Sequence, residues 1–138
     1  DILLKHKQSK GKFIGICLGF QLLMLSSNEG NLSGLGVYDF SLKKFPKLKL
    51  KVPHVGFNEI NFSDSKNKQE CYFTHSFYLP EIDIDTIPDL ISVGYTNYGI
   101  NFISFIETKN CLLSQFHPEK SSFAGNFFIQ KIKRLVQC

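Results

Sequence analysis

The sequence lacks several features that would assign a protein to a class at once. It has no run of 18 or more apolar residues, and its opening residues are not typical of a signal peptide, so we expect no membrane-spanning segment. Its cysteines form no C-x-x-C pair and no other spacing typical of zinc ligands. Only one of its 16 basic residues is an arginine, Arg134, although arginine is the usual residue for gripping nucleic-acid phosphates. We therefore expect no metal and no nucleic-acid partner.

The composition is typical of one ordinary globular domain. The chain has 138 residues, of which 43% are hydrophobic and 20% charged, with a formal net charge of +4. A chain of this length can bury a core without a disulfide or a metal ion. We predict a single domain over residues 1–138. Because the sequence begins with Asp1 rather than Met, we also expect it to be incomplete at its N-terminus.

The hydrophobic pattern predicts helices at both ends of the chain and short strands between them. The helices are predicted over 1–9, 18–26 and 121–136, the last with Ser121 or Ser122 as its N-cap. The buried stripe of this last helix is predicted at Phe128, Ile132, Leu135 and Val136. A loop is predicted over 28–36, and strands over 13–17, 37–44, 48–52, 57–62, 71–75, 90–96, 102–107 and 111–116. This arrangement is typical of an α/β domain.

Of the cysteines, Cys17 is the first residue to point to chemistry, whereas Cys71 and Cys111 open apolar strands and are expected in the core. Cys17 lies between Gly15 and Gly19 where a strand turns into a helix, which is typical of a nucleophile elbow. At a helix N-terminus its pKa is expected to be lowered, and the N–H of the following residue is placed to stabilise an oxyanion. Taken alone, G-x-C-x-G is equally compatible with a buried cysteine beside two loop glycines.

A second segment, QFHPEKS over residues 115–121, lies at the end of a predicted strand. His117 and Glu119 are two residues apart, and Pro118 keeps the stretch between them extended. A carboxylate beside a histidine fixes its tautomer and keeps it basic, as in a nucleophile–base–orienter triad. Alone, His117 would be read as a structural histidine. With a candidate nucleophile elsewhere in the chain, it becomes a candidate base.

Four segments in this order carry a resemblance to a known family: GICLGFQ, KVPHVGFNEI, YFTHSFY and QFHPEKS. They resemble the class I (triad) glutamine amidotransferases, and the two middle segments resemble the glutaminase subunit of imidazole glycerol phosphate synthase in histidine biosynthesis. The resemblance extends from residue 13 to the final helix. It implies an α/β fold with a flavodoxin-like mixed sheet flanked by helices. It also implies that the N-terminal part of this fold, with a glycine-rich loop that completes the oxyanion hole, is missing here.

By position, the resemblance implies roles for individual residues. Cys17 matches the nucleophile, His117 the general base and acid, and Glu119 the orienting carboxylate. The oxyanion and glutamine site is implied at Leu18, Gly19, Gln21, Glu29, His75, Ser76 and Phe77. The partner interface is implied at Pro53, His54, Gly56, Phe57, Asn58 and Lys120. Without the family context, Gln21 and Glu29 are ordinary exposed residues at a helix end, and His75 supports its strand.

The activity implied by the resemblance is hydrolysis of L-glutamine to glutamate and ammonia through a thioester on Cys17, with no cofactor. The ammonia passes to a (β/α)₈-barrel cyclase in a heterodimer, which makes imidazole glycerol phosphate and AICAR. The family works in the cytoplasm.

Two departures from the family keep alternatives open. Phe57 stands where family members usually have tryptophan, which the chain lacks entirely. The chain could therefore be a paralogous glutaminase that supplies ammonia to a synthase aminating a surface sugar. It could also be an inactive scaffold that binds the partner barrel. The intact Cys17, His117 and Glu119 argue against a scaffold, whereas missing N-terminal elements would leave apolar edges exposed and little or no activity.

Overall fold

The computed structural model describes residues 2–30, 33–47 and 50–137. Within these ranges the chain forms three α-helices: α1 (Ile2–Gln8), α2 (Leu18–Leu22) and α3 (Ser122–Gln137). The same ranges form nine strands: β1 (Phe13–Ile16), β2 (Met24–Ser27), β3 (Tyr38–Lys44), β4 (His54–Phe62), β5 (Lys68–His75), β6 (Phe77–Pro80), β7 (Leu90–Asn97), β8 (Asn101–Thr108) and β9 (Cys111–Ser114). None of the described helices is long and apolar enough to cross a membrane.

The strands form one mixed sheet with the order β2-β3-β6-β8-β7-β4-β5. β9 also lies beside β8, and β1 lies beside β9. The pairs β1–β9 and β2–β3 are parallel, and the other pairs are antiparallel. Because β1 and β9 run in the same direction, with Ile16 beside Ser114, the residues that follow these two strands emerge at the same edge of the sheet.

Two clusters of buried apolar side chains cover the two faces of the sheet. Leu112 belongs to one cluster and Leu113 to the other, because successive side chains of a strand point to opposite faces. Phe20 of α2 packs in the cluster of Leu113, and Phe128 of α3 packs in that of Leu112. Helices therefore cover both faces, as an α/β arrangement requires.

Most of the predicted strands are present. The predictions over 13–17, 37–44, 57–62, 71–75, 90–96, 102–107 and 111–116 correspond to β1, β3, β4, β5, β7, β8 and β9. Cys71 and Cys111 are 1% and 5% exposed, which confirms that both thiols lie in the core. β6 was not predicted because only Ser76 separates it from β5, and no glycine or proline interrupts the run.

The helix predicted over 18–26 is wrong in its second half. α2 ends at Leu22, and β2 begins after a single further residue. The carbonyls of Leu22 and Leu23 accept hydrogen bonds from the backbone N–H groups of Leu35 and Val37, at 2.7 and 2.9 Å. A short apolar run is compatible with either structure, and here pairing with a more distant segment decides in favour of a strand.

The strand predicted over 48–52 is also wrong as far as the structure describes it. Residues 50–52 belong to no strand, and residues 48–49 lie outside the described residues. The Lys51 carbonyl accepts a hydrogen bond from the Tyr98 hydroxyl at 2.9 Å rather than from a neighbouring strand. Among the described residues of this stretch, Leu50 and Val52 are half-buried loop residues and not strand residues.

The helix α3 matches the prediction over 121–136 to within one residue at each end. Phe128 and Leu135 are buried and Ile132 is half-buried, as predicted. Val136 is 65% exposed, so its assignment to the buried stripe is wrong. The reason is rotational, because Val136 directly follows Leu135 and is turned about 100° away from the stripe of i, i+4 and i+7 positions.

Candidate active site

The turn that carries Cys17 has a strained backbone. Cys17 is the single residue between β1 and α2, with φ 50° and ψ −101°, a region that L-residues rarely adopt. Its N–H donates to the Ser114 carbonyl at 2.7 Å, which ties the turn to β9. A Cβ on Gly15 would lie 2.8 Å from the Gly19 carbonyl oxygen, so this position requires glycine. The nucleophile elbow predicted from the sequence is therefore present.

His117 lies just beyond the end of β9, before a short 3₁₀ turn, Pro118–Lys120. Its Nδ1 is 2.6 Å from Oε1 of Glu119, so the carboxylate accepts the Nδ1–H and leaves Nε2 as the basic nitrogen. Nε2 is buried and has no hydrogen-bond partner among the residues that the structure describes. An imidazole held in this tautomer can accept a proton from a nearby thiol.

The pKa of the Cys17 thiol is raised, mainly by burial. The backbone N–H of Leu18 and the side chain of Gln115 donate to the sulfur and oppose this rise. In the 3₁₀ turn, the charge of Glu119 raises the pKa of Cys17 and that of Lys120 lowers it. The lowered pKa predicted from the helix N-terminus is wrong, because α2 has only five residues and burial outweighs it. Cys17 is therefore a thiol at neutral pH and needs a base to become nucleophilic.

A cavity of about 340 Å³ opens beside Cys17, within the range of small-molecule sites. It is lined by Cys17, Leu18, Gln21, Glu29, Pro53, Thr74, His75, Ser76 and Phe77. Six of the seven residues predicted for the oxyanion and glutamine site are in this lining. The seventh, Gly19, is not, and its carbonyl instead packs against Gly15.

The wall of the cavity at the start of β6 is fixed by hydrogen bonds. The Phe77 carbonyl accepts from Nε2 of Gln21 at 3.2 Å and from Nδ1 of His75 at 2.7 Å. In the same lining, the Cys17 sulfur lies 3.8 Å from the Thr74 carbonyl oxygen. The backbone that faces a ligand is therefore held in place before the ligand binds.

The hydrogen bonds of His75 continue into a second buried histidine, His54. Because Nδ1 of His75 donates to a carbonyl, its Nε2 must accept, and it lies 3.0 Å from Nδ1 of His54. Nε2 of His54 in turn accepts from the Asn58 amide at 3.3 Å. Burial lowers the pKa of both histidines to about 4, so both are neutral. His54 is 2% exposed and makes its hydrogen bonds within the chain, and its role in partner contact stays a prediction.

These side chains provide a nucleophile, a base with a fixed tautomer and a cavity with an acidic residue at its rim. In the described part of the chain, no group of three or more His, Cys, Asp or Glu side chains could hold a metal ion. The arrangement suits the transfer of an acyl group from a small substrate to the Cys17 sulfur.

Comparison with known protein families decides the identity of the fold. The sequence model for glutamine amidotransferase class-I matches residues 2–131, a range that includes Cys17, His117 and Glu119. The chain belongs to the class-I glutamine amidotransferase family.

Three curated relatives of this chain share a name, imidazole glycerol phosphate synthase subunit HisH. The relative from Nitrosospira multiformis is 39% identical, over 82% of this chain and 58% of its own length. The relative from Buchnera aphidicola is 37% identical, over 99% of this chain and 72% of its own length. The relative from Methanosarcina barkeri is 38% identical, over 88% of this chain and 62% of its own length. The chain thus spans less than two thirds of the N. multiformis and M. barkeri relatives.

The fold also matches a solved structure. A crystal structure of a glutamine amidotransferase superposes with a TM-score of 0.62 at 12% identity, covering 94% of this chain and 65% of that one. The predicted amidotransferase fold class is confirmed.

The remaining predicted partner residues lie at the cavity, within β4 and on an exposed surface. Pro53 lines the cavity, and Gly56 and Asn58 are half-buried in β4. Phe57 is 55% exposed, with its ring edge-on to that of Tyr72 at 5.4 Å. The Lys120 ammonium lies 5.4 Å from the centroid of the same Tyr72 ring. We call this cluster the Phe57–Tyr72–Lys120 surface.

Two residues of the site were missed by the sequence analysis. Gln115 and Ser121 both lie in the segment QFHPEKS, and their position around His117 was the available signal. Ser121 or Ser122 was predicted as the helix N-cap, and the Ser121 hydroxyl accepts from the Tyr72 N–H and donates to the His117 carbonyl. Its hydroxyl therefore anchors the 3₁₀ turn to β5.

Proposed function

We propose that this amidotransferase is the glutaminase subunit of an imidazole glycerol phosphate synthase and hydrolyses L-glutamine to glutamate and ammonia. One observation carries the proposal. Cys17, on its strained turn, lies at the same sheet edge as the His117–Glu119 pair and beside a cavity of about 340 Å³. The shared name of the relatives supports this synthase rather than another acceptor enzyme.

The first half of the reaction forms a thioester. The Cys17 sulfur attacks the side-chain amide carbon of glutamine, and the thiol proton moves to Nε2 of His117. The Leu18 N–H donates to the oxyanion that forms. When the carbon–nitrogen bond breaks, His117 returns the proton to the nitrogen and ammonia leaves. Glu119 accepts the Nδ1–H throughout and stabilises the imidazolium.

The second half of the reaction releases glutamate. Nε2 of His117 takes a proton from water, and the oxygen attacks the thioester carbon. The carbon–sulfur bond breaks, the proton returns to the Cys17 sulfur, and glutamate leaves. One glutamine and one water thus give one glutamate and one ammonia, with Cys17 and His117 restored. Two steps with a good leaving group replace one difficult amide hydrolysis.

Recognition of glutamine rests on the lining of the cavity. The Glu29 carboxylate suits the α-ammonium group of the substrate. In the described hydrogen bonds of the Gln21 amide, Nε2 is the donor. The amide oxygen is therefore available to accept from the α-ammonium group of the substrate. The backbone of Ser76 and Phe77 lines the side of the cavity that faces the substrate.

The ammonia must reach an acceptor before water protonates it, because the ammonium ion is not nucleophilic. We assign this acceptor to a (β/α)₈-barrel cyclase, bound in a heterodimer in the cytoplasm, that makes imidazole glycerol phosphate and AICAR. The Phe57–Tyr72–Lys120 surface has the composition of an interface, with an exposed aromatic ring and a half-buried one beside a cation. It lies on strands that lead directly to the cavity.

The thioester step is tested with a glutamine analogue that carries a chloromethyl ketone in place of the amide. We expect one adduct, located by peptide mass spectrometry on Cys17, and protection against labelling by L-glutamine but not by D-glutamine. Cys17→Ser should abolish the adduct. The control Cys111→Ala, which alters a buried thiol away from the cavity, should keep it. Labelling that L-glutamine does not slow would contradict the proposal.

A further inference from the structure

A buried glutamine, Gln115, contacts the nucleophile but has no part in the reaction described so far. It follows β9 directly and is 0% exposed. Its Nε2 lies 3.7 Å from the Cys17 sulfur, within hydrogen-bond distance for sulfur. Its Oε1 lies 2.9 Å from Nε2 of Gln21. Both ends of this side-chain amide are therefore engaged.

The orientation of the Gln115 amide is fixed by a chain of donors and acceptors. The Phe77 carbonyl can only accept, so the Gln21 atom 3.2 Å from it must be the nitrogen. The same nitrogen faces Gln115, so the Gln115 atom at that contact must be the oxygen. The Gln115 NH₂ group is therefore the end that faces Cys17. His75 holds the Phe77 carbonyl from its other side and keeps the chain in place.

We propose that Gln115 is a hydrogen-bond donor to the Cys17 thiolate, oriented by a clamp that consists of Gln21 and the Phe77 carbonyl. An ionised sulfur gains more from an N–H donor than a neutral thiol does, so the contact favours ionisation. The Leu18 N–H is the other donor to the sulfur, and the two contacts together limit the directions in which the sulfur can attack. The inference deepens the proposed function and rests on it only for the importance of the thiolate.

The electrostatics of the site explain why such a donor is needed. Burial raises the pKa of Cys17, and Gln115 is one of the few groups that lower it. The charged and titratable groups around the sulfur are Glu119 and Lys120 in the 3₁₀ turn, His117 beside them, and Glu29 and His75 in the cavity lining. Substitution of Gln115 leaves all of these residues in the chain, so a change in the Cys17 pKa reports on the donor.

The experiment measures the apparent pKa of Cys17 in the absence of glutamine. The rate of alkylation by iodoacetamide is followed against pH, with mass spectrometry of the Cys17 peptide to separate it from other cysteines. Gln115→Met removes the donor at similar length, and we expect the pKa to rise by about one unit, a tenfold loss of thiolate at a given pH. Gln115→Glu keeps the shape but turns an acceptor towards the sulfur, and we expect a larger rise. Gln130→Met changes an exposed glutamine of α3 and should leave the pKa unchanged.

The proposal is overturned if Cys17 has the same pKa in the Gln115→Met protein as in the unsubstituted protein. Since Gln115 is buried, Gln21→Met supplies a second variant, which removes the clamp but leaves Gln115 itself. Gln21→Met should also raise the pKa of Cys17, and an unchanged Cys17 pKa in this variant would likewise overturn the proposal. Because alkylation needs no glutamine, the outcome is independent of glutaminase activity. If the Cys17 pKa values of the variants follow the expected order but the unsubstituted protein hydrolyses no glutamine, the role of Gln115 as a donor stands and the proposed function is refuted.

Discussion

The roles of His54 and His75 come from their partners rather than from their residue type. Each ring is buried, donates through Nδ1 and accepts at Nε2, and the pair joins Asn58 to the Phe77 carbonyl. The ring of His54 also stacks on that of Tyr98, with centroids 3.9 Å apart. Protonation of either ring would add a donor where an acceptor is required. The pair therefore supports the cavity wall only while it is neutral.

The neutral pair predicts that acid destabilises the fold. The folded histidines have pKa values of about 4, against 6.5 for an ordinary histidine, so between these values the unfolded chain binds protons that the folded chain does not. Their contribution is complete above pH 6.5 and is lost as the pH falls towards 4, by up to about 1.4 kcal/mol per pH unit for each histidine. Urea unfolding at a series of pH values measures this slope. His54→Phe keeps an aromatic ring and should reduce the slope by roughly half.

The matched control is His6, which is exposed on α1. His6→Gln should leave the pH dependence of the unfolding free energy at its original slope. If His54→Phe and the unsubstituted protein give the same slope, His54 is charged in the folded state and the neutral pair is refuted.

At the residue scale, motifs predicted candidates for the reacting groups but not their surroundings. Cys17 and His117 were predicted because each lies in a short segment whose residue types limit its structure. The lowered pKa of Cys17 was wrong because burial is a property of the packed chain. Gln115 was missed for the same reason, since its contact joins residues 98 positions apart.

At the element scale, the position of His117 depends on the hydrogen bonds that connect β5 to the 3₁₀ turn, a connection that we call the joint. The Ser121 hydroxyl accepts from the Tyr72 N–H at 3.0 Å and donates to the His117 carbonyl. The His117 N–H in turn donates to the Tyr72 carbonyl at 2.8 Å. Three hydrogen bonds thus fix the residue before the 3₁₀ turn to a neighbouring strand.

Loss of this joint should affect both stability and turnover. Ser121→Ala leaves the Tyr72 N–H without its acceptor in a partly buried position, and we expect a loss of about 1–3 kcal/mol in the free energy of unfolding. Glutamate formation should fall as well, because the 3₁₀ turn carries Glu119. Urea unfolding and a glutaminase assay measure the two effects. The neighbouring Ser122→Ala alters an exposed serine and should change stability by less than about 0.5 kcal/mol; equal effects of the two substitutions would refute the joint.

The elements themselves were predictable where the pattern was long or unambiguous. α3 was predicted to within one residue because its stripe runs over several turns. The segment after Leu22 was not, because its apolar residues fit a helix and a strand equally well. Its backbone becomes a strand only by pairing with β3 and by accepting hydrogen bonds from the N–H groups of Gly34 and Gly36, which no local pattern reveals.

At the scale of the whole molecule, the family resemblance implied a mixed sheet, but its strand order could not be predicted from the sequence. The parallel pairing of β1 with β9 joins strands from opposite halves of the sequence. Hydrophobic alternation shows that a strand exists but not which strand lies beside it. That one pairing is what brings Cys17 and His117 to the same edge.

The Phe57–Tyr72–Lys120 surface predicts where a partner docks on the molecule. Phe57→Ala removes an exposed aromatic ring, and we expect the dissociation constant for the histidine-pathway cyclase to rise by about tenfold or more. Ile91 of β7 is similarly exposed, at 57%, but lies apart from this surface. Ile91→Ala should therefore bind the cyclase with the original affinity. Isothermal titration calorimetry measures the affinity of both variants for the cyclase. Equal affinities would show that the partner does not dock on this surface.

The central claim is that Cys17, His117 and Glu119 act together to hydrolyse glutamine for a partner synthase. The most direct measurement is glutamate release from L-glutamine by the purified protein, alone and with a histidine-pathway cyclase and its nucleotide ligand. The account predicts release that appears with the cyclase, is lost in Cys17→Ala and persists in Cys111→Ala. Release that survives Cys17→Ala, or no release under any of these conditions, would contradict it.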